Sequence, residues 1–85
     1  MQNPIYILFS CNEWKEYSSM HIVFVGDSLK ALKTQIENEI INDNMYYESE
    51  ELGLEEQLAL FEEEMDFDKL IYGFVDTFEN NELDL

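Results

Sequence analysis

Apolar positions recur along this chain with two different periods, and the changes between them divide it into elements. Ile5-Tyr6-Ile7-Leu8-Phe9 is an unbroken run of strand formers after Pro4, which predicts a strand buried on both faces or nearly so. His21-Ile22-Val23-Phe24-Val25 predicts a second strand, stopped by Gly26-Asp27. The polar residues 10–19 between them read as a loop. Two strands joined this way most simply form an antiparallel pair.

The period then changes. Leu29, Leu32, Ile36 and Ile40 follow at steps of 3, 4 and 4, which sets them on one face of a helix. Asp27 or Ser28 can cap its start, and it should fade around Asn42-Asp43-Asn44. Leu54, Leu58, Phe61 and Met65, at steps of 4, 3 and 4, write a second helix. Its start has two readings. Ser49 can cap it, with Glu50 and Glu51 in the first turn and Gly53 inside at a cost of about 1 kcal/mol, or it begins just after Gly53. Lys69 to Phe78 returns to strand character, with Gly73 marking a bulge or a close backbone approach. Residues 79–85 read as a frayed acidic tail.

The predicted order is β-β-α-α-β. It implies an α+β fold in which a small antiparallel sheet of about three strands carries two helices on one face. At 85 residues the whole chain, 1–85, is expected to be a single domain. A disordered acidic segment would have few aromatics, whereas this chain has twelve and is 46% hydrophobic, enough for a small core.

Charge changes the picture. From Thr34 through Asp68 there are thirteen Asp or Glu residues and no Lys or Arg, and this run carries most of the formal net charge of −16. Like charge at that density destabilises a compact domain and shapes the field that partners meet. On the second helix the apolar stripe leaves Glu55, Glu56, Glu62 and Glu63 to the flanks and outer face. Residues three or four apart on a helix approach within about 5–6 Å, so these carboxylates crowd one another. Glu48, Glu50 and Glu51 extend the patch before the helix, and Glu64, Asp66 and Asp68 extend it after. None of those on the helix has a Lys at helical spacing. These ten acids are the candidate partner-binding residues. A solvated helix face is the plainer reading, but ordinary surfaces mix both signs and this one does not.

Conventional chemistry is thin. His21 is the only histidine and has no second histidine to work with; Cys11 is the only cysteine and reads as an ordinary small buried residue. Carboxylate pairs abound, yet nothing sets two of them in opposed environments for acid–base work. Asn42-Asp43-Asn44 and Asp66-Phe67-Asp68 offer oxygen ligands but do not continue into a calcium-binding loop, and no glycine-rich phosphate loop is present. No catalytic residue, metal or cofactor is expected, and the chain is read as a non-enzyme. Trp14 and Tyr17, in the loop between strands, are either exposed aromatic anchors for a partner or fold back over one end of the sheet; the second is preferred, because so small a domain has little apolar material to spare.

A lone cysteine permits no intrachain disulfide and favours a reducing compartment. Met1-Gln2-Asn3-Pro4 does not read as the start of a secretory signal, and no apolar run approaches the ~20 residues that span a bilayer. With a sequence pI near 4.1, nucleic acid and anionic membrane surfaces would repel the chain. The expectation is a soluble cytoplasmic protein whose partner is a basic protein.

In size and in the acid-only run, with its Glu48-Ser49-Glu50-Glu51 and Glu62-Glu63-Glu64-Met65-Asp66, the chain resembles the small acidic inhibitors encoded by phages and mobile elements. These include anti-CRISPR proteins that mimic nucleic acid. The resemblance covers a habit of about 35 residues rather than an alignable motif. It implies a stoichiometric inhibitor, acting in the bacterial host cytoplasm as a monomer or homodimer. Such an inhibitor occupies the basic channel of a nucleic-acid-binding protein, foremost a CRISPR effector. The alternative is an immunity protein or antitoxin that neutralises a basic nuclease. A structural or scaffolding dimer is a further alternative, favoured above all by an exposed apolar edge at Phe74, Phe78 and Leu83.

Overall fold

The computed structural model describes residues 4–78. The elements run β1 (Ile5–Ser10), β2 (His21–Gly26), α1 (Leu29–Ile41), β3 (Tyr46–Tyr47), α2 (Leu54–Glu64), β4 (Leu70–Ile71) and β5 (Gly73–Phe78). Single 3₁₀ turns occupy Tyr17–Ser19 and Phe67–Lys69. The main sheet is antiparallel in the order β2-β1-β5, and β3 pairs with β4 in a second, two-stranded sheet. This is the expected α+β architecture, with the small β3–β4 sheet added. The tail reading at 79–85 and the Leu83 edge fall outside the described residues.

Core formation follows the helix periods closely for α1. Ser28 Oγ accepts a hydrogen bond from the Ala31 amide at 3.1 Å, capping the helix. Leu32, Ile36 and Ile40 are buried and meet Leu8 of β1, while Leu29 stays 46% exposed at the start. The helix ends with Asp43 in the left-handed region, φ 65°, and the Asn44 amide donating back to the Glu39 carbonyl.

The expectation that β1 is buried on both faces is corrected. Only Leu8 is fully buried, because α1 covers one face of the sheet. On the opposite face Ile7 lies across from Val25 and Asp76, and Phe9 across from Ile22 and Phe74. Ile22 and Val25 are exposed there. The β1–β2 register slips between Leu8 and Phe9, leaving Val23 as an extra residue opposite no partner. That bulge lets the consecutive Val23 and Phe24 both pack against the core.

The second helix starts at Leu54 with Gly53 as its cap, which decides between the two predicted starts. Its buried face differs from the predicted stripe. Gln57 and Phe61 are buried, Leu58 and Leu60 partly so, and Leu54 is 44% exposed. Gln57 wins an inside position because backbone groups there need partners: its Oε1 accepts from the Tyr47 amide at 2.8 Å and its Nε2 donates to the Leu52 carbonyl at 2.9 Å. α2 packs against α1 and β3, completing a core that also holds Met45, Tyr47 and Leu70.

The final predicted strand is two. Tyr72 takes φ 67° between β4 and β5 and turns the chain from one sheet into the other. Gly73 shows the close approach: a β-carbon there would sit 2.7 Å from Met45 Sδ.

Candidate functional site

The acid run folds into three regions with different surroundings. The first is the outer side of α2. Successive residues turn about 100° on a helix, so Glu55 and Glu62 form one row and Glu56 and Glu63 another, on either side of Ala59. All five are exposed. From Glu55 to Glu63 the four carboxylates of this side span about 12 Å of helix axis, roughly one per 3–4 Å, against 3.4 Å per phosphate along one DNA strand. Glu62 is ion-paired with Lys33 of α1, and that hydrogen bond holds its carboxyl below the usual range. Glu55, Glu56 and Glu63 have no ion pair among the described residues.

The second region is a knot around Lys69. Its ammonium lies 3.1 Å from Glu64 and 3.2 Å from Glu48, and the Glu48 amide donates to the Lys69 carbonyl at 3.0 Å. The Tyr47 hydroxyl donates to Glu64 at 2.9 Å and accepts from the Asp66 amide. Desolvation, then the bond to Glu64, pushes Tyr47 up to about 12. The hydrogen bonds from Tyr47 and Lys69 lower Glu64, while those two carboxylates raise Lys69. Glu48 has φ 73°, and the Ser49 amide donates to the Tyr47 carbonyl across it, a tight γ-turn that a non-glycine residue enters only under strain. Glu48 and Glu64 are thus tied into the fold. Asp66 also caps the turn into Asp68 through its own side chain, at 3.1 Å.

The third region lies where the C-terminal end of α1 meets the N-terminal end of α2. A groove of about 280 Å³ opens there, with Ile40, Ile41 and Leu54 among its apolar walls and Asp43 and Glu50 at its edge. The Tyr46 and Tyr72 rings meet edge to face with centroids 5.8 Å apart. A hydrogen bond to Asp43 raises the Tyr46 phenol, and one to Glu50 raises Tyr72. Glu51 is exposed in the turn before α2, where its amide donates to Ser49 Oγ.

Of the ten predicted residues, then, Glu55, Glu56, Glu62 and Glu63 share the outer side of α2. Glu48 and Glu64 meet on Lys69, and Glu50 sits at the groove. The lysine partners were invisible to a reading at helical spacing. Lys33 and Lys69 lie just outside the run at either end, and only the tertiary fold brings them to it.

Trp14 and Tyr17 correct another expectation. They are 72% and 88% exposed rather than folded over the sheet. Asn12 organises the loop that carries them: its Oδ1 accepts from the Trp14 and Glu16 amides and its own amide donates to Ser19 Oγ. The loop's shape is fixed by these polar contacts, so it needs no aromatic cover.

His21 is exposed, and burial pushes the Cys11 thiol up, away from the reactive thiolate. Among the described residues no three His, Cys, Asp or Glu side chains converge as metal ligands, and no helix is long and apolar enough to cross a membrane. The chain matches no family model, no curated protein and no solved structure.

Proposed function

We propose that the protein is a stoichiometric inhibitor whose acidic surface imitates nucleic acid and blocks a basic nucleic-acid-binding protein, foremost a CRISPR effector. One observation carries the reading. The exposed side of α2 holds carboxylates at an axial density close to that of a nucleic-acid strand, and most of them lack an internal cation. Neighbouring carboxylates repel by a few tenths of a kcal/mol per pair, and a cationic channel on another molecule relieves that repulsion. Lysine and arginine side chains that hold phosphates would meet Glu55, Glu56, Glu62 and Glu63 instead. No bond is made or broken; inhibition is occupancy.

Capture of basic nucleic-acid-binding proteins from a bacterial lysate, repeated across a salt series and against competing DNA or RNA, tests this. The expected result is a captured protein that leaves as salt rises and that nucleic acid displaces. Capture that is insensitive to both would overturn charge mimicry.

A further inference from the structure

The groove between α1 and α2 has features that the charged rows of α2 lack. Its volume of about 280 Å³ lies at the small end of ligand sites and is enough to take one long side chain. Ile41 and Leu54, 53% and 44% exposed, give that side chain an apolar strip, with nothing of the described chain over Ile41. At the edge stand Asp43 and Glu50, neither in an ion pair among the described residues.

Helix ends sharpen the preference for a cation. The C-terminal turn of α1 carries partial negative charge and has no basic residue to answer it. The N-terminal end of α2, positive by the same effect, is already balanced by Glu55 and Glu56 in its first turn. Tyr46 adds an aromatic ring to the lining. A planar, always-charged group that stacks on a ring and forks onto carboxylates fits this better than an ammonium does.

We infer that this groove receives an arginine side chain of the basic partner, its stem on Ile41 and Leu54 and its guanidinium between Asp43 and Glu50. The inference rests on the inhibitor reading and adds to it a discrete anchoring point beside the diffuse charge of α2. It distinguishes this surface from a merely acidic one, because shape selects the side chain.

The test needs no partner protein. Nα-acetylarginine amide is titrated into the full chain while backbone amide resonances are followed, with the neutral citrulline amide and the lysine amide as controls. The arginine probe should shift Ile41, Asp43, Tyr46 and Leu54 saturably. The citrulline amide should bind about tenfold more weakly or worse, the loss expected when a charge-assisted bond goes. Asp43→Asn with Glu50→Gln should abolish the saturable shifts, and Asn tolerates the left-handed backbone at 43, so the fold is kept. Glu56→Gln with Glu63→Gln should leave them unchanged. Equal binding of citrulline, shifts spread along α2, or binding retained in the Asp43/Glu50 variant would overturn the groove. Salt-sensitive capture of a basic protein would survive any of those outcomes, so the two readings fail separately.

Discussion

Gly73 and Met45 lie so close that a β-carbon on the glycine would stand 2.7 Å from the methionine sulfur, itself fully buried. The glycine has no positive φ, so space rather than backbone conformation requires it. Gly73→Ala should therefore cost about 1–2 kcal/mol through overpacking. In a Met45→Ala background the same change should cost little or nothing. Urea denaturation of the four proteins of this cycle measures the coupling.

Gln57 holds the junction between α2 and β3 by two hydrogen bonds made in a buried position. Gln57→Leu keeps the apolar volume but strands the Tyr47 amide and the Leu52 carbonyl. The expected loss is about 1–3 kcal/mol, read from the denaturation midpoint at unchanged slope.

Stability should fall at both ends of the pH scale. Tyr47, raised to about 12, binds its proton more tightly folded than unfolded, so its contribution is full below pH 10 and is lost as pH rises from there toward about 12. Tyr46 and Tyr72 act in the same direction. Glu62 and Glu64 are lowered, so their contribution is present above the ordinary carboxylate value of 4.5 and is lost as pH falls below it. Tyr47→Phe should flatten the alkaline limb, and Glu64→Gln the acid one. Thermal unfolding across pH tests both.

Trp14 and Tyr17 make little contribution to the core. Trp14→Ser and Tyr17→Ser should each change stability by no more than about 0.5 kcal/mol. Trp14 is the only tryptophan, so native emission should be that of a solvated indole, open to iodide or acrylamide quenching.

The acids of α2 should separate by position. Glu63→Gln, away from the first turn, relieves repulsion and should be neutral or stabilising by a few tenths of a kcal/mol. Glu55→Gln and Glu56→Gln each remove a charge from the favourable end of the helix and should cost about 0.3–1 kcal/mol at low salt. Melting temperatures at low and high salt distinguish the two. All three changes should weaken capture of a basic partner.

What was legible in the sequence was whatever a local period encodes. Leu32, Ile36 and Ile40 announced the buried side of α1, and the β1 and β2 runs announced their strands. The outer acids of α2 could be read too, since any helix there must expose Glu55, Glu56, Glu62 and Glu63. Features decided at a distance could not. Gln57 is inside because Tyr47 and Leu52 need its amide, and β3 exists because Leu70 and Ile71 return beside it. The turn at Tyr72 gave no signal, because a bulky residue at positive φ is tolerated only when its surroundings hold it there. The groove was hidden for the same reason: Asp43 and Glu50 both line it only after two helix ends are brought together.

β1, the first strand written, is the middle strand of its sheet, and β5, the last described, is one of its two neighbours. Ser10 must find Gly73, and Ile5 must find Phe78, across almost the whole length of chain. Contacts of that separation are slow to form and reward the chain only at the end. On a ribosome, the sheet would stay a bare hairpin until β5 had left the exit tunnel, and its completion would be a late, all-or-none event.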